Sequence, residues 1–175
     1  MRSAAQVAVM LTVTGVAEMA RATLARMQSI GGPILDEDPL AQGWMHMTRG
    51  LYSEHLDADP HAAWRNFRDA ALAFKELGDE RNRYNIEGMA AVSLGRLGDF
   101  DGAIAGLHAC LGPTLEYNER MSIVALELGF TQLLLTRADP AHGEDVYQRA
   151  LRVRTLAAGN DSFLAIATGI IVKQG

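Results

Sequence analysis

An aspartate opens a similar segment three times along the chain at a constant interval of 40 residues: Asp59-Pro60, Asp99-Phe100 and Asp139-Pro140. The segments read DPHAAWRNFRDAAL, DFDGAIAGLHACL and DPAHGEDVYQRAL. Residue types return in register within them: small Ala63, Ala103 and Gly143, then bulky Phe67, Leu107 and Tyr147, then small Ala70, Cys110 and Ala150. Steps of four and three residues mark one face of a helix. A fourth copy upstream, Ala20, Leu24 and Met27, keeps the same steps and lies 43 residues ahead of the next. A small residue lets a neighbouring helix approach, and the bulky one a turn later fills the groove between the two. The pattern therefore predicts helices packed in pairs. Asp59, Asp99 and Asp139 suit the N-cap, where a short carboxylate accepts from first-turn amides, and Pro60 and Pro140 suit the first helical position.

Another amphipathic stretch precedes each of these second helices. First helices are expected over residues 3–13, 39–56, 81–97 and 119–137, and second helices over 16–29, 60–77, 100–111 and 140–157. Gly31-Gly32-Pro33, Gly78-Asp79, Gly112-Pro113 and Gly159-Asn160-Asp161 are expected to separate the pairs. Four hairpins result, over about 3–30, 39–77, 81–111 and 119–157, followed by a lone helix over 162–172, all in one domain of 175 residues. A final helix without a partner suggests a segment split from a longer parent. The β-branched runs lack the clean alternation of strands.

Gly98-Asp99-Phe100-Asp101-Gly102-Ala103-Ile104-Ala105 resembles the turn and second-helix start of a tetratricopeptide repeat. Ala91-Val92-Ser93-Leu94 is similar to the small-residue segment of that repeat's first helix. The interval exceeds the family's usual period of about 34 residues and overlaps the roughly 40 to 47 of HEAT and armadillo repeats. Longer copies of this kind resemble the arrays of bacterial signalling proteins, namely MalT-like regulatory ATPases and the C-terminal regions of serine/threonine kinases; residues 38–88 and the stretch GLHACLG have the texture of the latter. The resemblance implies an all-α, right-handed superhelical stack of about four antiparallel hairpins. It also implies a concave groove, lined by the first helices, for a peptide or partner helix. The positions matching that groove are Tyr52, His55, Asn85, Arg96, Gln132 and Thr136. The alternative is a regulatory or sensor segment of a larger signalling kinase or STAND-type ATPase, binding an effector or its own catalytic domain.

Composition narrows the partners. A net charge of −5, with scattered Lys and Arg, offers no footprint for nucleic acid or an anionic membrane. Arg65, Arg68, Arg81 and Arg83 are the nearest approach to a basic patch and read as a solvated helix face. Cys110, the one cysteine, forms no internal disulfide and suits a reducing, cytoplasmic setting. It occupies a small core position, where a thiol acts as a small hydrophobe. The short apolar stretch 7–11 behind Arg2 is broken too soon for a membrane span.

No phosphate loop, kinase motif or nucleophile elbow is present, and Ala91-Val92-Ser93-Leu94-Gly95 lies within a helix. Glu54, His55, Asp57, Asp59 and His61 gather possible ligands around one turn, but the spacing is no recognised metal motif and a capped, solvated connection explains it. The expectation is a binding scaffold with no catalytic residue, cofactor or metal.

Overall fold

The computed structural model describes residues 17–35, 38–118, 120–137 and 140–158, with the backbone alone for 30–35. The expected helices over 3–13 and 162–172, the Asp139 cap and the Gly159-Asn160-Asp161 break lie outside the described residues. Among the described residues there are seven α-helices: α1 (Ala17–Leu35), α2 (Pro39–His55), α3 (Pro60–Glu76), α4 (Glu80–Arg96), α5 (Phe100–Glu116), α6 (Arg120–Arg137) and α7 (Gly143–Ala157). A 3₁₀ turn, Pro140–His142, precedes α7.

Local chemistry sets most of the boundaries. The Asp59 carboxylate accepts from the Ala62 amide at 2.9 Å, and Asp99 from Gly102 at 2.9 Å. Asp38 and Asp79 cap α2 and α4 in the same way, accepting from Leu40 at 2.9 Å and Asn82 at 3.2 Å. Leu77-Gly78-Asp79 and Leu97-Gly98-Asp99 each end one helix and start the next. Gly78 (φ 68°) and Gly98 (φ 98°) take the left-handed conformation that closes a Schellman turn. In the first turn the Asp79 amide donates to the Phe74 carbonyl at 2.9 Å, and in the second Asp99 donates to Leu94 at 3.3 Å. Asn118 (φ 50°) plays the glycine's part after α5.

Two expected breaks are helical instead. α1 runs through Gly31-Gly32-Pro33 to Leu35, and α5 through Gly112-Pro113 to Glu116. A proline inside a helix removes the bond to the carbonyl four residues earlier. That carbonyl belongs to Ser29 in α1 and Ala109 in α5, both on exposed faces where water can take the missing donor's place.

Helices pack mainly on their neighbours in sequence, with α4 also against α6. One core cluster forms around Met45, Phe67, Phe74 and Ile86, and a second around Leu107, Leu126, Phe130 and Leu133. The repeated face is buried in two copies: Ala63, Phe67, Ala70, Ala103 and Leu107 are 0% exposed and Cys110 is 2%. Upstream, Ala20 and Met27 are buried and Leu24 half-buried.

The last copy departs from the expected register. Gly143, Tyr147 and Ala150 are exposed, whereas Arg149, Val153 and Ala157 are buried. The 3₁₀ turn supplies the reason: three residues wound at about 120° instead of about 100° rotate the following helix by most of one residue's step. α7 thus begins three residues later than expected and presents the neighbouring stripe.

Glycines set the closest approaches. A Cβ on Gly88 or Gly95 of α4 would overlap Leu126 or Leu133 of α6, and one on Gly43 or Gly50 of α2 would press on Phe74 or Phe67 of α3. Both glycine pairs and both knob pairs are spaced by seven residues, two helical turns, so each hairpin or helix pair locks at two points.

Candidate functional site

The six expected groove residues lie on α2, α4 and α6. Tyr52 is buried, and its hydroxyl accepts from Arg21 Nε at 2.8 Å, tying α1 to α2. His55 is exposed in the last turn of α2. Arg96, in the last turn of α4, pairs with Glu54 Oε1 at 2.7 Å. The other Glu54 oxygen accepts from the fully buried Ser93 hydroxyl at 3.2 Å. α2 and α4 are thereby joined at their C-terminal ends. Glu54 from the polar turn is accordingly spent on Arg96, and Asp59 on its cap; among the described residues no group of three or more His, Cys, Asp or Glu could hold a metal.

Gln132 is half-buried on α6, and its carbonyl accepts from the hydroxyl of exposed Thr136 at 2.8 Å. The Gly95–Leu133 approach sets the last turn of α4 beside the turn of α6 that carries Gln132. Tyr52, His55, Arg96, Gln132 and Thr136 thus belong to the C-terminal halves of three successive first helices. Asn85 stands apart, eleven residues before Arg96 and therefore about 16 Å away along α4. Its Oδ1 is buried and receives no hydrogen bond from the described residues.

Sequence reasoning missed a second polar constellation, between α6 and α7. Glu127 is 1% exposed, with Oε2 at 2.8 Å from Arg149 Nη1 and Oε1 at 3.4 Å from Arg152 Nη1. The Arg149 guanidinium lies 3.9 Å above the Phe130 ring. Its Nε is 3.0 Å from Asp145 Oδ1 but makes no hydrogen bond, so that contact is an ion pair off the N–H direction. The available signal was a lone glutamate amid the apolar run of α6; its partner was not legible, because the repeat's register puts Ala150 at the small position and the structure buries the adjacent Arg149 instead. Glu87, 40 residues earlier, faces Cys110 in the equivalent way, with Sγ and Oε2 4.0 Å apart. Burial, then the Glu87 charge, pushes the Cys110 thiol up to about 12, which removes it from nucleophile chemistry at neutral pH.

Two arginines of the expected solvated face, Arg68 and Arg83, are engaged locally. Arg68 lies over Trp64 at 4.8 Å, while Arg83 lies over Tyr84 at 4.3 Å and pairs with Glu80 at 2.8 Å. None of the described helices is long and apolar enough to cross a membrane.

The fold and its polar groups define an all-helical stack of sequentially packed helices. No protein-family model matches the chain, and neither a curated protein nor a solved structure is significantly similar to it.

Proposed function

We propose that the protein is an interaction scaffold of the tetratricopeptide type, whose hairpins continue into a superhelix and whose first helices bind a peptide or partner helix. The observation that carries this reading is the Asn85 amide on α4: its Oδ1 is buried and accepts no hydrogen bond from the described residues. A buried acceptor left without a donor costs about 1 to 3 kcal/mol, which a ligand N–H would recover once the side chains covering the oxygen move aside on binding. The Glu54–Arg96 pair and the α4–α6 packing support it, because they link the C-terminal end of α2 to α4 and α4 to α6. Tyr52, His55, Arg96, Gln132 and Thr136 would then contact the ligand at the C-terminal ends of these helices and Asn85 nearer the other.

The test is to recover a partner by crosslinking in cells of origin, map its bound segment and titrate that segment calorimetrically into wild type, Asn85→Ala and Gln132→Ala. Asn85→Ala should leave the melting temperature unchanged or raised, since it removes an unsatisfied group, and weaken binding about threefold to tenfold. Full affinity in both variants, with the fold intact, would remove the groove assignment.

A further inference from the structure

A separate cleft opens where the C-terminal end of α5 and the flank of α7 stand over α6. Its volume is about 660 Å³, within the range of ligand sites. Ile123 and Glu127, one turn apart on α6, contribute from below; Leu151, Arg152 and Leu156 form one wall and Leu115 the other. Leu115 is 53% exposed, and Leu151 and Leu156 across the cleft are only half-buried. Large apolar side chains concentrated at the mouth of a cleft mark a contact site more than an ordinary surface does.

The charges within it are unequal. Glu127 and Arg149 form a sealed pair, with side chains 1% and 8% exposed, and Arg149 is further held by Phe130 and Asp145. Arg152 is the second guanidinium on the same carboxylate, reaches it only at 3.4 Å and is 55% exposed. A guanidinium offers five donors in a planar fork that suits a carboxylate, and one long contact leaves most of them for another acceptor. A cationic ligand would meet Arg152 first and find Glu127 already satisfied. A wholly apolar one would cover Arg152 without replacing its water.

We propose that this cleft is a second binding site, taking a partner polypeptide segment that carries a carboxylate between leucine-like side chains. Arg152 receives the carboxylate, and Leu115, Leu151 and Leu156 receive the apolar groups. The proposal does not depend on the surface formed by α2, α4 and α6, and substitutions separate the two.

The probe is the capped peptide acetyl-Leu-Glu-Leu-Leu-amide beside its Gln counterpart, titrated into the whole chain and followed by amide and methyl chemical shifts. Shifts should centre on Leu115, Leu151 and Leu156, and the Glu peptide should bind about tenfold more tightly than the Gln peptide, as a charge-assisted bidentate contact implies. Arg152→Gln should abolish that preference and Arg152→Lys retain part of it. Leu115→Ser should weaken both peptides, and Asn85→Ala should change neither. Equal affinity for the two peptides, a preference that survives Arg152→Gln, or absence of binding overturns the proposal. So does a dimer in sedimentation that Arg152→Gln dissolves, which would assign the cleft to a second copy. Nuclear Overhauser contacts from Leu151 or Leu156 to Phe163 or Leu164 in the free protein would assign it to the chain's own residues and overturn it equally.

Discussion

Glu127 is held between two arginines in the buried middle of α6, among Val124, Leu126, Leu128 and Phe130. Taking one charge from such a pair leaves the other stranded, which is costlier than replacing both with apolar groups. Glu127→Leu should therefore lower stability by about 3 to 5 kcal/mol in urea unfolding, and adding Arg149→Met should recover most of the loss. A double variant as unstable as the single would mean that Arg149 matters for its packing on Phe130 and not for its charge. Cys110 carries a pH dependence. Its thiol titrates near 9.0 in the open chain and is pushed up to about 12 in the fold, by burial first and the Glu87 charge second. The unfolded chain thus releases this proton more readily. The associated stability is complete below about pH 9 and is lost as pH rises toward 12. Urea midpoints at pH 8 and 10.5 should fall further in wild type than in Cys110→Ala, and a thiol reagent at pH 8 should label Cys110 only on unfolding. Rapid labelling of the folded protein would contradict this burial.

At the scale of elements, the approach of α4 to α6 depends on atoms that are absent. Gly95→Ala puts a Cβ into Leu133 and should destabilise by about 1 to 3 kcal/mol, as overpacking does. Gly112→Ala, in an exposed stretch of α5 where the added carbon meets nothing beyond its chain neighbours, should change stability far less, because the gain in helix propensity is opposed by the contact of the new Cβ with the Pro113 ring. Thermal melts that fall as far for Gly112→Ala as for Gly95→Ala would refute the role given to Gly95. The roles of Gly88 and Gly95 were not legible beforehand, because their partners Leu126 and Leu133 lie about 38 residues away and no local pattern announces a pairing. The aspartate caps were legible: Asp59 and Asp99 bond within three residues of themselves. α5 was expected to stop at Gly112-Pro113 because local preference opposes helix there, yet its solvent-facing side tolerates the lost bond.

For the molecule as a whole, stability in a stack resides in the interfaces between consecutive helices. α2, α3, α4 and α5 pack extensively in succession, while α1 packs on α2 much less. Amide hydrogen exchange should therefore be slowest in α3 and α4 and markedly faster in α1, and Tyr52→Phe, which removes the acceptor of the 2.8 Å bond from Arg21, should accelerate exchange in α1 before any other helix. Uniform protection across all seven helices would show that the chain opens only as one unit.

The sequence by itself determined the helical class, the alternation of helices and turns, and the buried stripes of α3 and α5. Those features follow from hydrogen bonds and side-chain periodicities that close within a turn or two of the chain. Tertiary structure alone decided the stripe that α7 buries, the pairing of Glu127 with Arg149, the fit of Leu126 and Leu133 to Gly88 and Gly95, and the engagement of Arg96 with Glu54. Each of these depends on groups brought together from distant positions, where a rotation of about 60° in one short turn selects which side chains meet.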